Sequence, residues 1–312
     1  MNVAFAGTPE FAAIVLRGLL DSEHTVGLVT SQPDARRGRG RKTSASPVAE
    51  LAVSEEIPLL RPNRIEEIAS EVRNYDALVV AAYGQILRAD TLYATERGAW
   101  NVHASLLPAY RGAAPVERAI MNGEVKSGVS IMLMREGLDT GPVALRKEIS
   151  IEPQVNGDEL TVNLAKLGAK AIVETLSLVE RNAYTLTEQD ETLASYAPKL
   201  APEDRVIRWN RPAKSVHDQV RGLAPEIGAR TFHPAFEGPI KLLRTKVEDE
   251  IVVAGDKTPG GTILAAKDRI LVQCGKGILQ VDKLQVPGGK PVAAEEFLRG
   301  NILEGTLTES QE

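Results

Sequence analysis

A single cysteine, Cys274, stands in 312 residues and has no partner for an intrachain disulfide. That fits a reducing compartment, and a lone thiol of this kind is most often simply packed. No apolar stretch approaches the roughly 20 residues that span a bilayer. Met1-Asn2 leads straight into VAFAG with no basic start, so no targeting segment is expected and a cytoplasmic protein is. The first glycine turn reads AGTPEF and not GxGxxG, which gives no support for a dinucleotide. There is no Gly-x-Ser-x-Gly elbow, and with the cysteine isolated a covalent nucleophile is not expected. Histidines with nearby carboxylates at metal-ligand spacing are missing too, so no metal is expected. No internal repeat is present. What remains, 43% hydrophobic and 25% charged, is ordinary globular composition at a length that suggests two domains.

Polar chemistry concentrates in AWNVHASLLPAYRGAAPV, residues 99–116. It reads as a short buried strand, a Pro- and Gly-containing loop and a helix start. Alternation along the strand puts Asn101 and His103 on one side, about 7 Å apart at a rise of roughly 3.3 Å per residue. A second polar turn, GLDTGP (137–142), holds Asp139.

Around these motifs the chain alternates strand and helix. VAFAG closes in Gly7, Thr8 is placed to cap the next helix with Pro9 at its first position, and Phe11, Ile14, Val15 and Leu19 form a helical stripe. HTVGLVT and IPLL read as strands, Ser46-Pro47 as a helix start, and Asn63 with Glu66 as a capping box opening a helix to about Tyr75. DALVVAAYG is nearly all apolar, the mark of a strand covered on both faces of a parallel sheet. In such sheets ligands sit beyond the carboxyl ends of the strands, near Asn101 and His103. Strands at 128–134 and 142–151 flank the Asp139 turn, and 158–181 reads as a long helix. Residues 188–204 lack a clean period and read as a linker. Beyond them, a helix near 213–223, short runs including IVVAG (251–255), and a closing helix at 292–300 suggest an antiparallel barrel. The expected architecture is α/β: a Rossmann-like, mostly parallel sheet domain over 1–187, a linker over 188–204, and a small OB-like antiparallel β-barrel domain over 205–312.

Charge is uneven. Residues 1–204 carry 21 Lys+Arg against 28 Asp+Glu, and 205–312 carry 16 against 14. Either an anionic partner reaches across both parts or the charges are scattered over ordinary surfaces. Within the acidic first part, five of the seven residues 36–42 are basic: Arg36, Arg37, Arg39, Arg41 and Lys42, with Gly38 and Gly40 between them. A mobile surface loop suited to phosphates is expected there, against the plainer alternative of a solvated loop.

The three polar residues permit a specific chemistry. When a neutral amine attacks a carbonyl carbon, an oxyanion develops that fixed donors stabilise. Asn101 offers an N–H and His103, if protonated, a charged donor. Asp139 can accept the proton the amine sheds and can hold His103 charged. Each also has a structural alternative: a satisfied core histidine, a loop-capping amide, a turn aspartate.

With these residues in hand, NVHASLLPAYRGAAPV followed by GLDTGP resembles the folate-dependent formyltransferases. AGTPEF, the QPD…GRG…SPV loop and the second domain extend the similarity along essentially the whole chain, toward the branch that acts on methionyl initiator tRNA. The resemblance implies formyl transfer from 10-formyltetrahydrofolate to the α-amino group of methionine on that tRNA. It also implies catalytic roles for Asn101, His103 and Asp139, and a folate-binding loop at Ser105, Leu106, Leu107 and Pro108. It puts the acceptor end of the tRNA at Arg36 to Lys42 and the aminoacyl group near Phe11. The chain departs from the family at Ala104, where many members have Gly, and at RGLAPEIGA (221–229), which replaces a Trp-bearing stretch. A monomer is expected, because one substrate already bridges both domains.

Overall fold

In the computed structural model, VAFAG lies in strand β1 (Asn2–Gly7), buried along all but its first residue. The structure describes residues 1–37, 42–248, 258–265 and 268–311. Helix α1 (Glu10–Leu20) follows, then β2 (Thr25–Thr30), β3 (Ala35–Arg37), β4 (Lys42–Ser44), α2 (Pro47–Ser54) and β5 (Leu59–Leu60). Next come the short helices α3 (Ala69–Val72) and α4 (Ala89–Leu92), on either side of β6 (Ala77–Ala81), and then β7 (Ala99–His103) and β8 (Arg111–Gly112). Helix α5 (Pro115–Met121) leads to β9 (Lys126–Leu133), β10 (Val143–Ser150), α6 (Gly157–Glu180) and β11 (Tyr196–Ala197).

Two compact units result. One comprises residues 1–115, 126–150 and 161–198, the other 116–125, 151–160 and 199–312. The first is built on a seven-stranded sheet in the order β10-β9-β7-β6-β1-β2-β5. The five strands from β5 to β7 are mutually parallel, and β9 and β10 add an antiparallel edge. β6 is buried at every residue, as its unbroken apolar run requires when both faces are covered.

Local signals failed where a distant partner satisfied the same group. Thr8 does not cap α1; its hydroxyl donates to the Tyr83 carbonyl at 3.0 Å, and Pro9 takes the cap position. Asn63 and Glu66 do not form a capping box. The turn there is a 3-10 helix (Ile65–Ile68) running into α3, and Gln85 Oε1 accepts the Ile65 N–H at 2.9 Å. Ser46 does cap α2, accepting from the Ala49 N–H at 3.0 Å with Pro47 following. The expected mobile loop at 31–47 instead carries a hairpin, β3 against β4, pairing Ala35 with Ser44 and Arg37 with Lys42. A two-stranded ladder satisfies backbone groups without needing core side chains. Residues 188–204 carry two 3-10 turns (Glu191–Leu193 and Glu203–Arg205) besides β11.

The second unit holds α7 (Ala213–Leu223), β12 (Ala229–Thr231), β13 (Ile240–Glu248), β14 (Ile263–Ala265), β15 (Ile270–Gln273), β16 (Ile278–Gln285), β17 (Val292–Ala293) and α8 (Ala294–Leu298). Its antiparallel sheet runs β12-β13-β16-β15-β14, with β17 on β16, and curls into a half-barrel. The tail ties the two sheet edges: Thr306 bridges Thr262 beside β14, and Thr308 bridges Phe232 beside β12. The expected strand at 251–255 lies outside the described residues. Cys274 is buried in this core, where burial pushes its thiol up to about 12. Among the described residues, no helix is long and apolar enough to cross a membrane.

Burial also raises the carboxyl of Glu117 in the first turn of α5, helped by the nearby charge of Asp158. A carboxyl raised in the fold stabilises it only while protonated, and that contribution is lost as pH rises through its folded pKa. Glu117→Gln is therefore expected to melt higher than the parent near pH 8. The gap should close near pH 4, where model glutamates also protonate; thermal unfolding at the two pH values measures it.

Candidate active site

β7 is a central strand, paired with β6 on one side and β9 on the other, and its carboxyl end carries both Asn101 and His103. Both are buried, at 9% and 6% exposure. Among the described residues the Asn101 carboxamide has no hydrogen-bond partner. Its amide atoms are not among the sealed, unsatisfied polar atoms of the interior, so they reach solvent and stand open to a ligand.

His103 is held by one nitrogen. Its Nε2 lies 3.0 Å from the Tyr110 carbonyl, and a carbonyl only accepts, so Nε2 bears a proton. The nitrogen left for chemistry is Nδ1, which faces Asp139 Oδ2 at 3.7 Å. With Nε2 bearing a proton, Nδ1 donates only in the imidazolium form. Asp139 Oδ2 also accepts the Gly112 N–H at 2.8 Å. Gly112 sits at φ 118, and a Cβ there would lie 2.8 Å from the Ala197 carbonyl oxygen. Only glycine lets β8 run this close to β11 while aiming its N–H at the carboxylate.

The turn between β9 and β10 is itself constrained. Asp139 has φ 54, a left-handed conformation that costs a non-glycine residue energy. Gln189 Nε2 donates to the carbonyls of Asp139 and Gly141, each at 2.7 Å. Gln189 Oε1 in turn accepts from Arg111 Nη2 at 2.9 Å and from Nε at 3.2 Å. Arg111 is fully buried and grips Glu191 with both terminal nitrogens, at 2.8 and 2.7 Å. This guanidinium holds the Glu191 carboxyl below the usual carboxylate range. Ser195 completes the frame, its hydroxyl accepting the Tyr110 N–H at 2.9 Å.

The other expected residues fall as follows. Ser105 and Leu107 are buried, whereas Leu106 and Pro108 are partly exposed. The Leu107 side chain packs with Met132 and Val143. Ser130 Oγ donates to the Ser105 carbonyl at 2.8 Å and accepts the Leu107 N–H at 3.0 Å, and Arg146 Nε donates to the Leu107 carbonyl at 2.8 Å. The loop is thus a fixed rim at the end of β7. Phe11 lies in the first turn of α1 at 7% exposure, among that helix's buried residues. Arg36, Arg37 and Lys42 lie on the β3–β4 hairpin; Arg39 and Arg41 are outside the described residues. Sequence reasoning missed Arg111, Gln189, Glu191 and Ser195. Arg111 read as part of a turn into a helix, and the rest fell in a stretch read as a linker. A charged residue inside an otherwise apolar run was the one local sign. Among the described residues, no three His, Cys, Asp or Glu side chains group to hold a metal.

This donor set suits a carbonyl that gains negative charge, with a carboxylate beside it for the departing proton. Residues 1–176 match the formyl transferase family and residues 199–301 its C-terminal domain. The chain is 58% identical over 307 residues to a methionyl-tRNA formyltransferase of Rubrobacter xylanophilus, covering 98% of this chain and 99% of that protein. It is 41% identical over 308 residues to one of Dictyoglomus turgidum, covering 96% of each. Among solved structures, it superposes with a TM-score of 0.67 on WlaRD, a sugar 3N-formyltransferase determined in the presence of dTDP and 5-N-formyl-THF. That match has 17% identity over 90% of this chain and 97% of the other, a likeness of fold. The chain belongs to the methionyl-tRNA formyltransferases of the formyl transferase family.

Proposed function

We propose that this protein formylates the α-amino group of methionyl initiator tRNA with Asn101, His103 and Asp139 as its catalytic residues. 10-Formyltetrahydrofolate supplies the formyl carbon, whose bond to N10 is exchanged for one to the amine nitrogen while a proton passes from that amine to N10. Asn101 donates its N–H to the formyl oxygen; this is the partner its buried carboxamide otherwise lacks. His103, anchored through Nε2, presents Nδ1–H to the same oxygen. Asp139 faces Nδ1 and takes the proton shed by the attacking nitrogen. An aminoacyl ester amine is less basic than a free α-amino group, whose pKa is about 8, so part of it is neutral near pH 7 and needs no stronger base. Ser105, Leu106, Leu107 and Pro108 form the folate-facing rim, and Phe11 lies toward the methionyl end. Residues 1–187 carry the chemistry, joined through 188–204 to 205–312, which contacts the tRNA. Arg36, Arg37, Arg39, Arg41 and Lys42 contact the acceptor-stem phosphates. The protein works as a cytoplasmic monomer.

The solvent-open Asn101 amide beside the anchored His103 and Asp139 is the observation that carries this reading. The test follows formyl from labelled 10-formyltetrahydrofolate to initiator and elongator methionyl-tRNA side by side. Transfer confined to the initiator is expected; equal transfer to a small free amine would overturn the substrate assignment. The apparent affinity for tRNA should also fall steeply with salt, linearly on a log–log scale as phosphate counterions are displaced. A flat salt response would remove the basic segment from the interface.

A further inference from the structure

We infer that Gln189 is a positioning residue for the reaction, holding the Asp139 turn in its productive conformation under the control of buried Arg111. The inference rests on the catalytic reading of Asp139.

The geometry makes the assignment specific. One carboxamide closes on two backbone carbonyls of a single turn, those of Asp139 and Gly141, each at 2.7 Å. The residue it clamps carries φ 54, so the turn needs an outside restraint to keep that conformation. Gly141 leaves the turn no slack either, because a Cβ there would overlap the Leu133 carbonyl oxygen. Arg111 settles which way the Gln189 amide points. Two guanidinium nitrogens bond Oε1, which compels Nε2 to face the turn. Glu191 occupies the far side of the guanidinium in a two-toothed pair and keeps it from turning away. The order of support is therefore Glu191, Arg111, Gln189, the Asp139 backbone, and finally the carboxylate that faces His103 Nδ1.

Two substitutions at one position separate positioning from mere anchoring. Gln189→Met keeps approximate length but removes both hydrogen-bonding ends. Gln189→Glu keeps, and strengthens, the acceptor for Arg111 but loses the donors and turns an anion toward two carbonyls. Both are expected to lower kcat by about 10²-fold, the scale of loss for a catalytic group misplaced by about 1 Å. The KM for tRNA should stay within a few fold. If Gln189 only anchors Arg111, Gln189→Glu will retain parental kcat and the inference fails.

A double-mutant comparison ties the effect to Asp139. In an Asp139→Asn background, Gln189→Met should cost little further, because both changes remove the same function. A full multiplicative loss would place Gln189 on another group and overturn the inference. If Asp139→Asn alone stays within a few fold of the parent, the catalytic reading of Asp139 falls first, and the inference falls with it. If Asp139→Asn is slow while both Gln189 variants keep parental kcat, the reading stands and the inference alone is lost.

Discussion

Asp139→Asn is expected to leave a folded protein that binds its tRNA normally and transfers formyl roughly 10²–10⁴-fold more slowly, the range that positioned acid–base groups supply. The substituted side chain can still place an oxygen on the Gly112 N–H, where the carboxylate now accepts at 2.8 Å. The local fold therefore has no reason to collapse. What disappears is the charge facing His103 Nδ1 at 3.7 Å. Because Nε2 is committed to the Tyr110 carbonyl, Nδ1 can donate only as imidazolium. Without the carboxylate that form loses its counter-charge, and the amine loses its proton acceptor. Single-turnover rates with saturating tRNA, set beside tRNA binding, separate the two. Turnover within a few fold of the parent would refute the role.

Asn101→Ala should cost about 10²–10³ in kcat, the loss seen when one oxyanion donor is removed. Its stability should change less than that of most core substitutions. A buried polar residue usually loses bonded partners when truncated, but the Asn101 carboxamide has none to lose among the described residues. Its amide atoms reach solvent and are not sealed in the core, so truncation breaks no protein hydrogen bond. A melting temperature close to the parent's, together with a collapsed kcat, is the expected pair of results. A stable variant with near-parental kcat would leave the Asn101 amide without a catalytic role.

Much of the α/β architecture is readable residue by residue. β6 is an apolar run of the kind that doubly covered strands require, and it is buried throughout. The Ser46-Pro47 cap is local chemistry, and it forms. The capping signals at Thr8 and Asn63 are just as local and do not form, because Tyr83 and Gln85 offer those groups better-placed partners. A cap motif reports what a side chain can do within four residues and cannot report what approaches from elsewhere. The same limit explains why the basic segment was read as a loop: strand pairing between β3 and β4 leaves no hydrophobic alternation to detect.

The sequence by itself determined the main alternation of strands and helices and the antiparallel second domain. It also determined the polar pair on β7 and the turn that holds Asp139. Those follow from periodicity, turn chemistry and side-chain inventory, which act over a few residues. Tertiary structure alone decided which nitrogen of His103 is free and how Asp139 is held. The Gly112 bond spans 27 positions, the Gln189 clamp 50 and the Arg111 brace 78. Contacts at such separations depend on how the chain folds back on itself, and no pattern within a single element encodes them.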